Sequence, residues 1–193
     1  MSKELEIEFK NMLTKEEYQQ LVKKYFPDSS PFSQTNCYFD TPSSLLKEKH
    51  MGLRLRKRDG KNECTLKVPT NNQHAYQEIT DKLSDEKINQ LITEQTIYQD
   101  GEVAKYLLAH DFPINDLQMI GSLTTHRLEK NITEECLLVL DESHFGEVID
   151  FELEMEVGNI KTGELFFNEF LINEHIKRRL ASKKIARMLE YSN

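Results

Sequence analysis

Three short stretches of the sequence alternate charged with apolar residues, and each carries mainly one sign of charge. KELEIEFK at 3–10 places three glutamates two residues apart, and IDFELEMEV at 149–157 repeats the acidic alternation. GLRLRKR at 52–58 carries arginine and lysine instead. Paired carboxylates suit a hard divalent cation, whereas rows of Arg and Lys suit phosphate oxygens. The three patterns together predict a metal-bound polyphosphate ligand.

Strict alternation predicts β-strands, because successive side chains of a strand point to opposite faces. An antiparallel sheet with one solvated face would also alternate, but a solvated face usually mixes signs and small polar residues. Same-face neighbours lie about 6.7 Å apart, where two like charges repel by roughly 2.5 kcal/mol at an effective dielectric of about 20. Charges segregated by strand therefore indicate a special environment rather than a simple wet face.

A closed barrel with these faces turned inward would provide that environment. Glutamate rows would then lie opposite rows of arginine and lysine, forming a tunnel filled with ions and water instead of an apolar core. ECTLKV at 63–68 would add Lys67 to the polar face, and AYQEIT at 75–80 would place Glu78 beside Tyr76. On the first strand, Leu5 and its apolar neighbours would pack against outer helices.

The helices needed around such a barrel are also visible in the sequence. Thr14 and Glu17 have the spacing of a capping box before a helix that runs to about Tyr25. Further helical patterns lie near 84–95, 101–110, 163–172 and 173–190. With 193 residues and no linker or repeat, we expect one domain spanning 1–193, of the α+β class and mainly antiparallel β.

Composition excludes several other classes of protein. A net charge of -8 disfavours a general nucleic-acid binder, which needs a basic surface. No apolar run approaches membrane length, and three cysteines without a CxxC pair favour a reducing, cytoplasmic location. The six histidines lack HxH or HExxH spacing, so we expect them to be structural or exposed. We expect His144 to lie off the charged rows or in a turn.

The same charged residues resemble the CYTH superfamily, the triphosphate tunnel metalloenzymes. Glu6 to Lys10 matches the family's ExExK signature, and further matching segments follow in order along nearly the whole chain. They are YFDTP at 38–42, LRLRKR at 53–58, TLKVP at 65–69, YQEIT at 76–80, Arg127, LDESHFG at 140–146 and ELE at 152–154. The family includes thiamine triphosphatases, inorganic triphosphatases and class IV adenylate cyclases.

The resemblance implies a closed, eight-stranded antiparallel barrel with helices packed outside, and it implies roles for individual residues. The implied metal ligands, for Mg²⁺ or Mn²⁺, are Glu6, Glu8, Asp141, Glu152 and Glu154. The implied phosphate contacts are Lys10, Arg54, Arg56, Lys67, Arg127 and either Lys183 or Lys184, with Arg178, Arg179 and Arg187 as nearby alternatives to the two lysines. The implied catalytic residues are Glu6, Glu8, Lys67 and Glu78, the last of which would orient a basic neighbour or assist a second metal. Glu156 extends the acidic pattern and is expected at a tunnel rim.

The function predicted on these grounds is metal-dependent hydrolysis of a triphosphate compound inside the tunnel. Alternatives are a class IV adenylate cyclase, which would need a nucleotide-recognising region, and a non-catalytic polyphosphate- or nucleotide-binding module. We expect a small-molecule triphosphate as the partner, no nucleic acid and no membrane, and a monomer or homodimer.

Overall fold

The computed structural model describes residues 2–191. Its strands are β1 (Ser2–Leu13), β2 (Phe32–Asp40), β3 (Gly52–Arg58), β4 (Asn62–Pro69), β5 (Ala75–Leu83), β6 (Gln118–Thr133), β7 (Cys136–Phe145) and β8 (Val148–Val157). Its helices are α1 (Lys15–Tyr25), α2 (Leu45–Glu48), α3 (Asp85–Glu94), α4 (Glu102–Ala109), α5 (Ile160–Asn173) and α6 (Lys184–Tyr191), with a 3-10 turn at Ile114–Asp116.

The eight strands hydrogen-bond in the order β1-β5-β4-β3-β2-β6-β7-β8 and close as a barrel. The pairs β2–β3, β3–β4, β4–β5, β6–β7, β7–β8 and β8–β1 are antiparallel. The predicted α+β architecture, a closed eight-stranded antiparallel barrel with helices, is therefore confirmed.

Contacts within the chain form two compact units, and the first comprises residues 34–123 with the start of β1. We call it the central unit. Its strands turn Leu55, Leu66 and Ile79 to one face, where Ile88 of α3 and Leu107 of α4 pack against them. All five side chains are fully buried. The helices thus cover the apolar face of these strands, which leaves the opposite face to the alternating polar residues.

The second unit, which we call the terminal unit, comprises Glu6–Ser33 and the chain from residue 124 onward. Here α5 packs on β1 and β8, with the rings of Phe9 and Phe167 stacked at a centroid distance of 5.7 Å. Gly163 permits this approach, since a Cβ atom there would lie 2.4 Å from a β8 side chain. At the other end of β1 the prediction fails for Leu5, which is 64% exposed rather than packed under a helix.

Several predicted helices form with nearly the expected bounds. Helix α1 begins with the predicted capping box, in which Thr14 accepts a hydrogen bond from the Glu17 amide and Glu17 accepts one from the Thr14 amide. The helical patterns near 84–95, 101–110 and 163–172 correspond to α3, α4 and α5. Helix α2 was not predicted. It begins where the Asp40 carboxylate accepts hydrogen bonds from the amides of Leu46 and Lys47.

The prediction of a helix over 173–190 is wrong, because only α6 is helical there. His175 adopts a left-handed conformation directly after α5, and the following segment lies along β1 instead. The completely buried Asn11 donates to the Lys177 carbonyl and accepts from the Arg179 amide, while Arg179 in turn accepts a hydrogen bond from the Met12 amide. One buried amide thus satisfies backbone groups that a helix would otherwise pair internally.

Within the described residues, no helix is both long and apolar enough to cross a membrane.

Candidate functional site

The predicted acidic row lies on adjacent strands of the terminal unit. Asp141 on β7 is directly opposite Glu152 on β8. Asp141 and Glu152 are completely buried, and Glu154 is 3% exposed. A solvated sheet face would leave these carboxylates in water, so that alternative explanation of the pattern is excluded. Burying a charge is unfavourable unless it is paired and hydrogen-bonded.

Arg127, Lys184 and Lys10 provide much of that pairing. Arg127 donates two hydrogen bonds to Asp141, at 2.7 and 2.6 Å, and a third to Glu154 at 3.0 Å. The Lys184 ammonium lies 2.5 Å from Glu152, 2.7 Å from Glu154 and 2.9 Å from Asp141. Lys10 binds Glu154 at 3.0 Å from the neighbouring strand β1.

Contacts with groups of opposite charge shift the pKa values of these residues more strongly than burial does. Burial alone would raise the pKa of Glu154, but Lys10, Lys184 and Arg127 lower it well below its usual value. Burial opposes the charge on Lys10 and Lys184, yet the surrounding carboxylates raise the pKa of both ammonium groups. Burial also acts against ionised Asp141, but Arg127 and then Lys184 hold its pKa below normal. All these groups therefore remain charged at neutral pH.

The acidic row continues toward Glu6 and Glu8, where the balance of charge changes. Glu8 lies opposite Glu156 across β1 and β8, and Lys10 contacts Glu8 at 3.1 Å. Burial, followed by repulsion from Glu6 and then Glu154, raises the pKa of Glu156 to about 7. This end of the row carries excess negative charge, which a cation would relieve. Sequence reasoning placed Glu156 at a rim and missed this interaction, although its position in the ELEME alternation was visible.

The two lysines left open at the C-terminal end differ in their surroundings. Lys184, at the first position of α6, reaches the buried carboxylates, whereas Lys183 is exposed. Arg187, one turn later, binds Asp150 and Glu152 at 2.7 Å each. Arg187 was considered only as an alternative to the two lysines, and Asp150 was not among the predicted site residues. Arg187 lies in the ARM segment of the last helix, and Asp150 is the first acidic residue of DFELEME. Both were visible in the sequence, but alternation alone does not reveal which distant residues pair with each other.

The predicted basic row lies in the central unit, on strands β3, β4 and β5. Lys67 is directly opposite Glu78, and their charged atoms lie 3.2 Å apart. Arg54 contacts Glu63 at 3.6 Å and Glu78 at 3.9 Å, and Arg56 contacts Glu63 at 3.2 Å. Burial acts to raise the pKa of Glu78, but Lys67 and then Arg54 lower it. Glu63 was not predicted, although it occupies the polar face of ECTLKV.

The acidic residues fit a hard divalent cation in their chemistry. Their donors are carboxylate oxygens, and the buried Oε1 atom of Glu152 has no hydrogen-bond partner within residues 2–191. An unsatisfied buried oxygen is costly unless a ligand completes it. Over the same residues, no group of three or more His, Cys, Asp or Glu side chains forms a ready-made metal centre. The carboxylates are engaged by Lys10, Arg127, Lys184 and Arg187 instead.

The remaining reactive residue types lie off the charged rows. His126 and His144 contact each other edge to face with ring centroids 4.8 Å apart, and His144 lies in β7 rather than in a turn. They bond to Ser33 and Glu142 respectively. The three cysteines are free and buried.

The fold and these rows define a class of protein. It is an antiparallel barrel in which some strands carry buried carboxylates and others carry arginine and lysine. A family model for the CYTH domain matches residues 4–189. A Bacillus subtilis (strain 168) protein named "Putative triphosphatase YjbK" is 38% identical over an alignment 207 positions long, which covers 98% of this chain and 97% of that protein.

Solved structures agree with this match. A crystal structure described as a "putative adenylate cyclase" from Bacillus halodurans is 31% identical, with a TM-score of 0.88 and coverage of 97% of this chain and 98% of that one. A Hippeastrum protein, described as a "putative adenylyl cyclase" with a dominant triphosphatase activity, is 19% identical with a TM-score of 0.75, covering 98% and 96%. The latter likeness concerns the fold alone. The chain belongs to the CYTH domain family.

Proposed function

We propose that this barrel is a divalent-metal-dependent triphosphatase, which hydrolyses inorganic triphosphate or an organic triphosphate. The observation that carries the proposal is the complete burial of Asp141 and Glu152 together with Glu154. Buried carboxylates held by cations have no role in an apolar core, but they are the donors that a hard cation requires. The relative from Bacillus subtilis, whose name includes triphosphatase, supports the same reading.

The basic residues would bind the phosphate groups. Arginine binds phosphate oxygens through two parallel N–H donors, and lysine acts as a point charge. The phosphate contacts proposed here are Lys10, Arg54, Arg56, Lys67, Arg127 and Lys184. Glu78 keeps Lys67 and Arg54 in place. Its lowered pKa suits this orienting role better than that of a general base, which works best with a pKa near the working pH.

The carboxylates proposed to hold Mg²⁺ or Mn²⁺ are Glu6, Glu8, Asp141, Glu152 and Glu154. The bound cation would draw charge from the phosphate oxygens and help to position the attacking water. The chain itself would hold the polyanion in line through its guanidinium and ammonium groups. Glu6 and Glu8 would orient that water, and the mechanism needs no protein nucleophile.

The direct test is an assay of the purified protein with Mg²⁺ or Mn²⁺ against inorganic triphosphate, thiamine triphosphate and ATP, with each product identified. We expect phosphate release that stops in EDTA. Glu6→Gln should abolish turnover, while the matched control Glu86→Gln, an exposed site on α3, should retain it. Release of pyrophosphate with cyclic AMP would instead establish a cyclase, and tight triphosphate binding without turnover would establish a binding module.

We further propose that the protein acts in the cytoplasm. The support for this is its three free, buried cysteines, which are typical of a reducing compartment. Fractionation of the producing cells with an antibody against the chain would test it. Recovery in a membrane or secreted fraction would contradict it.

A further inference from the structure

Glu63 is an acidic residue in the middle of the basic row of the central unit. It lies on β4 directly opposite Arg56 on β3. A single oxygen, Oε1, lies 3.2 Å from Nη1 of Arg56 and 3.6 Å from Nη2 of Arg54. One carboxylate oxygen therefore bridges two guanidinium groups that the proposed function assigns to phosphate binding.

Asn36 holds the same arginine from the other side. On β2, Asn36 is directly opposite Arg56 and accepts a hydrogen bond from its Nε atom at 3.0 Å. Asn36 is 2% exposed, so its amide is fixed by packing. Arg56 thus has one acceptor on each neighbouring strand, which restricts both the direction of its side chain and the rotation of its guanidinium plane.

A fixed guanidinium is valuable for binding phosphate. An arginine side chain carries about 2 kcal/mol of rotamer entropy, and a free one would lose this freedom on binding. Holding the groups in advance lowers that cost, and the alignment needed for phosphoryl transfer depends on such positioning. An opposite role is also conceivable, in which the Glu63 carboxylate competes with phosphate for the same donors.

The geometry favours positioning over competition. The Glu63 side chain is 25% exposed, whereas each of the two arginine side chains is 15% exposed. Glu63 approaches the arginines from the neighbouring strand. It contacts Arg56 through Nη1, while Asn36 takes Nε. A guanidinium has five N–H donors, so these contacts can coexist with a bound phosphate.

We infer that Glu63 is a positioning residue that, together with Asn36, aligns Arg56 and Arg54 for the triphosphate; this inference rests on the proposed function. It acts through the arginines and does not touch the reacting atoms. Because the interaction needs an acceptor oxygen more than a charge, glutamine should replace it far better than alanine.

The test compares Glu63→Ala and Glu63→Gln with the wild type, using inorganic triphosphate as the substrate. Glu63→Ala should raise KM at least about tenfold with a smaller change in kcat, the size expected for losing a hydrogen bond to a charged group. Glu63→Gln should restore most of that loss. Glu86→Ala, which removes the same charge from exposed α3, should change neither constant, and thermal melting should show that all variants fold.

An unchanged or lowered KM in Glu63→Ala would overturn the inference, and a lowered KM would identify Glu63 as a competitor. Failure of the proposed function looks different, because then the wild type itself would not hydrolyse triphosphate. In that case calorimetric titration of inorganic triphosphate into the same variants decides the matter. Weaker binding by Glu63→Ala alone supports positioning, while equal binding, or no binding even by the wild type, refutes it.

Discussion

Replacing Lys184 by methionine tests how the acidic row is held together. Lys184 contacts Asp141, Glu152 and Glu154 within 2.9 Å and is largely buried. Methionine keeps the length of the side chain but removes its charge, leaving the three carboxylates with Arg127, Lys10 and Arg187. Removing one partner of a buried ion pair typically costs about 3–5 kcal/mol. For a chain of this size each kcal/mol lowers Tm by roughly 2–4 °C, so we expect a fall of about 10 °C.

The assay is thermal unfolding at pH 7.5 in EDTA and in excess Mg²⁺. If the carboxylates bind a divalent cation, Mg²⁺ should stabilise Lys184→Met more than the wild type, because the cation no longer competes with the lysine. Lys177→Met, an exposed lysine in the segment that runs along β1, serves as the control for lost charge. An unchanged Tm in EDTA would refute the buried pairing. Equal Mg²⁺ stabilisation of both proteins would refute competition for the carboxylates.

Three further outcomes are expected. Gly101→Ala should lower Tm measurably, because the added Cβ would lie 2.1 Å from the Asp81 carboxylate that caps α4; an unchanged melting curve would contradict the clash. Burial raises the thiol pKa of Cys64 to about 12 and of Cys136 to about 11, so a thiol reagent should label them at pH 8 only after unfolding. The raised pKa of Glu156 shows that the folded state disfavours its charge, so the free energy of unfolding in EDTA should fall as pH rises from about 4.5 to 7. Glu156→Gln should remove this loss and so be more stable than the wild type at pH 7. If the variant were still more stable than the wild type at pH 4, the protonation of Glu156 would not be the cause.

The period-two alternation of the sequence was sufficient to predict which of these segments are strands and which face of each strand carries the charged residues. Strand alternation places Glu152 and Glu154 on one face whatever the tertiary structure, and the structure keeps them there. Helix pattern was less informative at the C-terminal end, where a continuous helix was predicted over 173–190. Its failure depends on Asn11, which lies more than 160 residues away in the sequence and hydrogen-bonds the intervening segment. Such a partner cannot be found from local periodicity.

The same limit applies to the choice between the two lysines. Lys183 and Lys184 have the same chemistry and adjacent positions, so local sequence could not show that Lys184, at the start of α6, would contact the buried carboxylates. Had the helix continued from residue 173, its phase could have presented either residue. Local sequence therefore predicts which strands carry charge, whereas the long-range packing of irregular segments determines which charges meet.

Pairing within each unit explains how such charged rows can exist in a folded chain, and it bears on how they would bind a ligand. In the terminal unit, Asp141, Glu152 and Glu154 meet Arg127, Lys10 and Lys184. In the central unit, Arg54, Arg56 and Lys67 meet Glu63 and Glu78. The charges of both rows are paired, so these ion pairs already compensate much of the free-energy cost of desolvating the buried charges. Binding of a metal or a triphosphate would then exchange one set of ionic partners for another. Its affinity should reflect the difference between the two sets, which is why removing a single internal counterion, such as Lys184, is expected to strengthen the effect of the metal as well as weaken the fold.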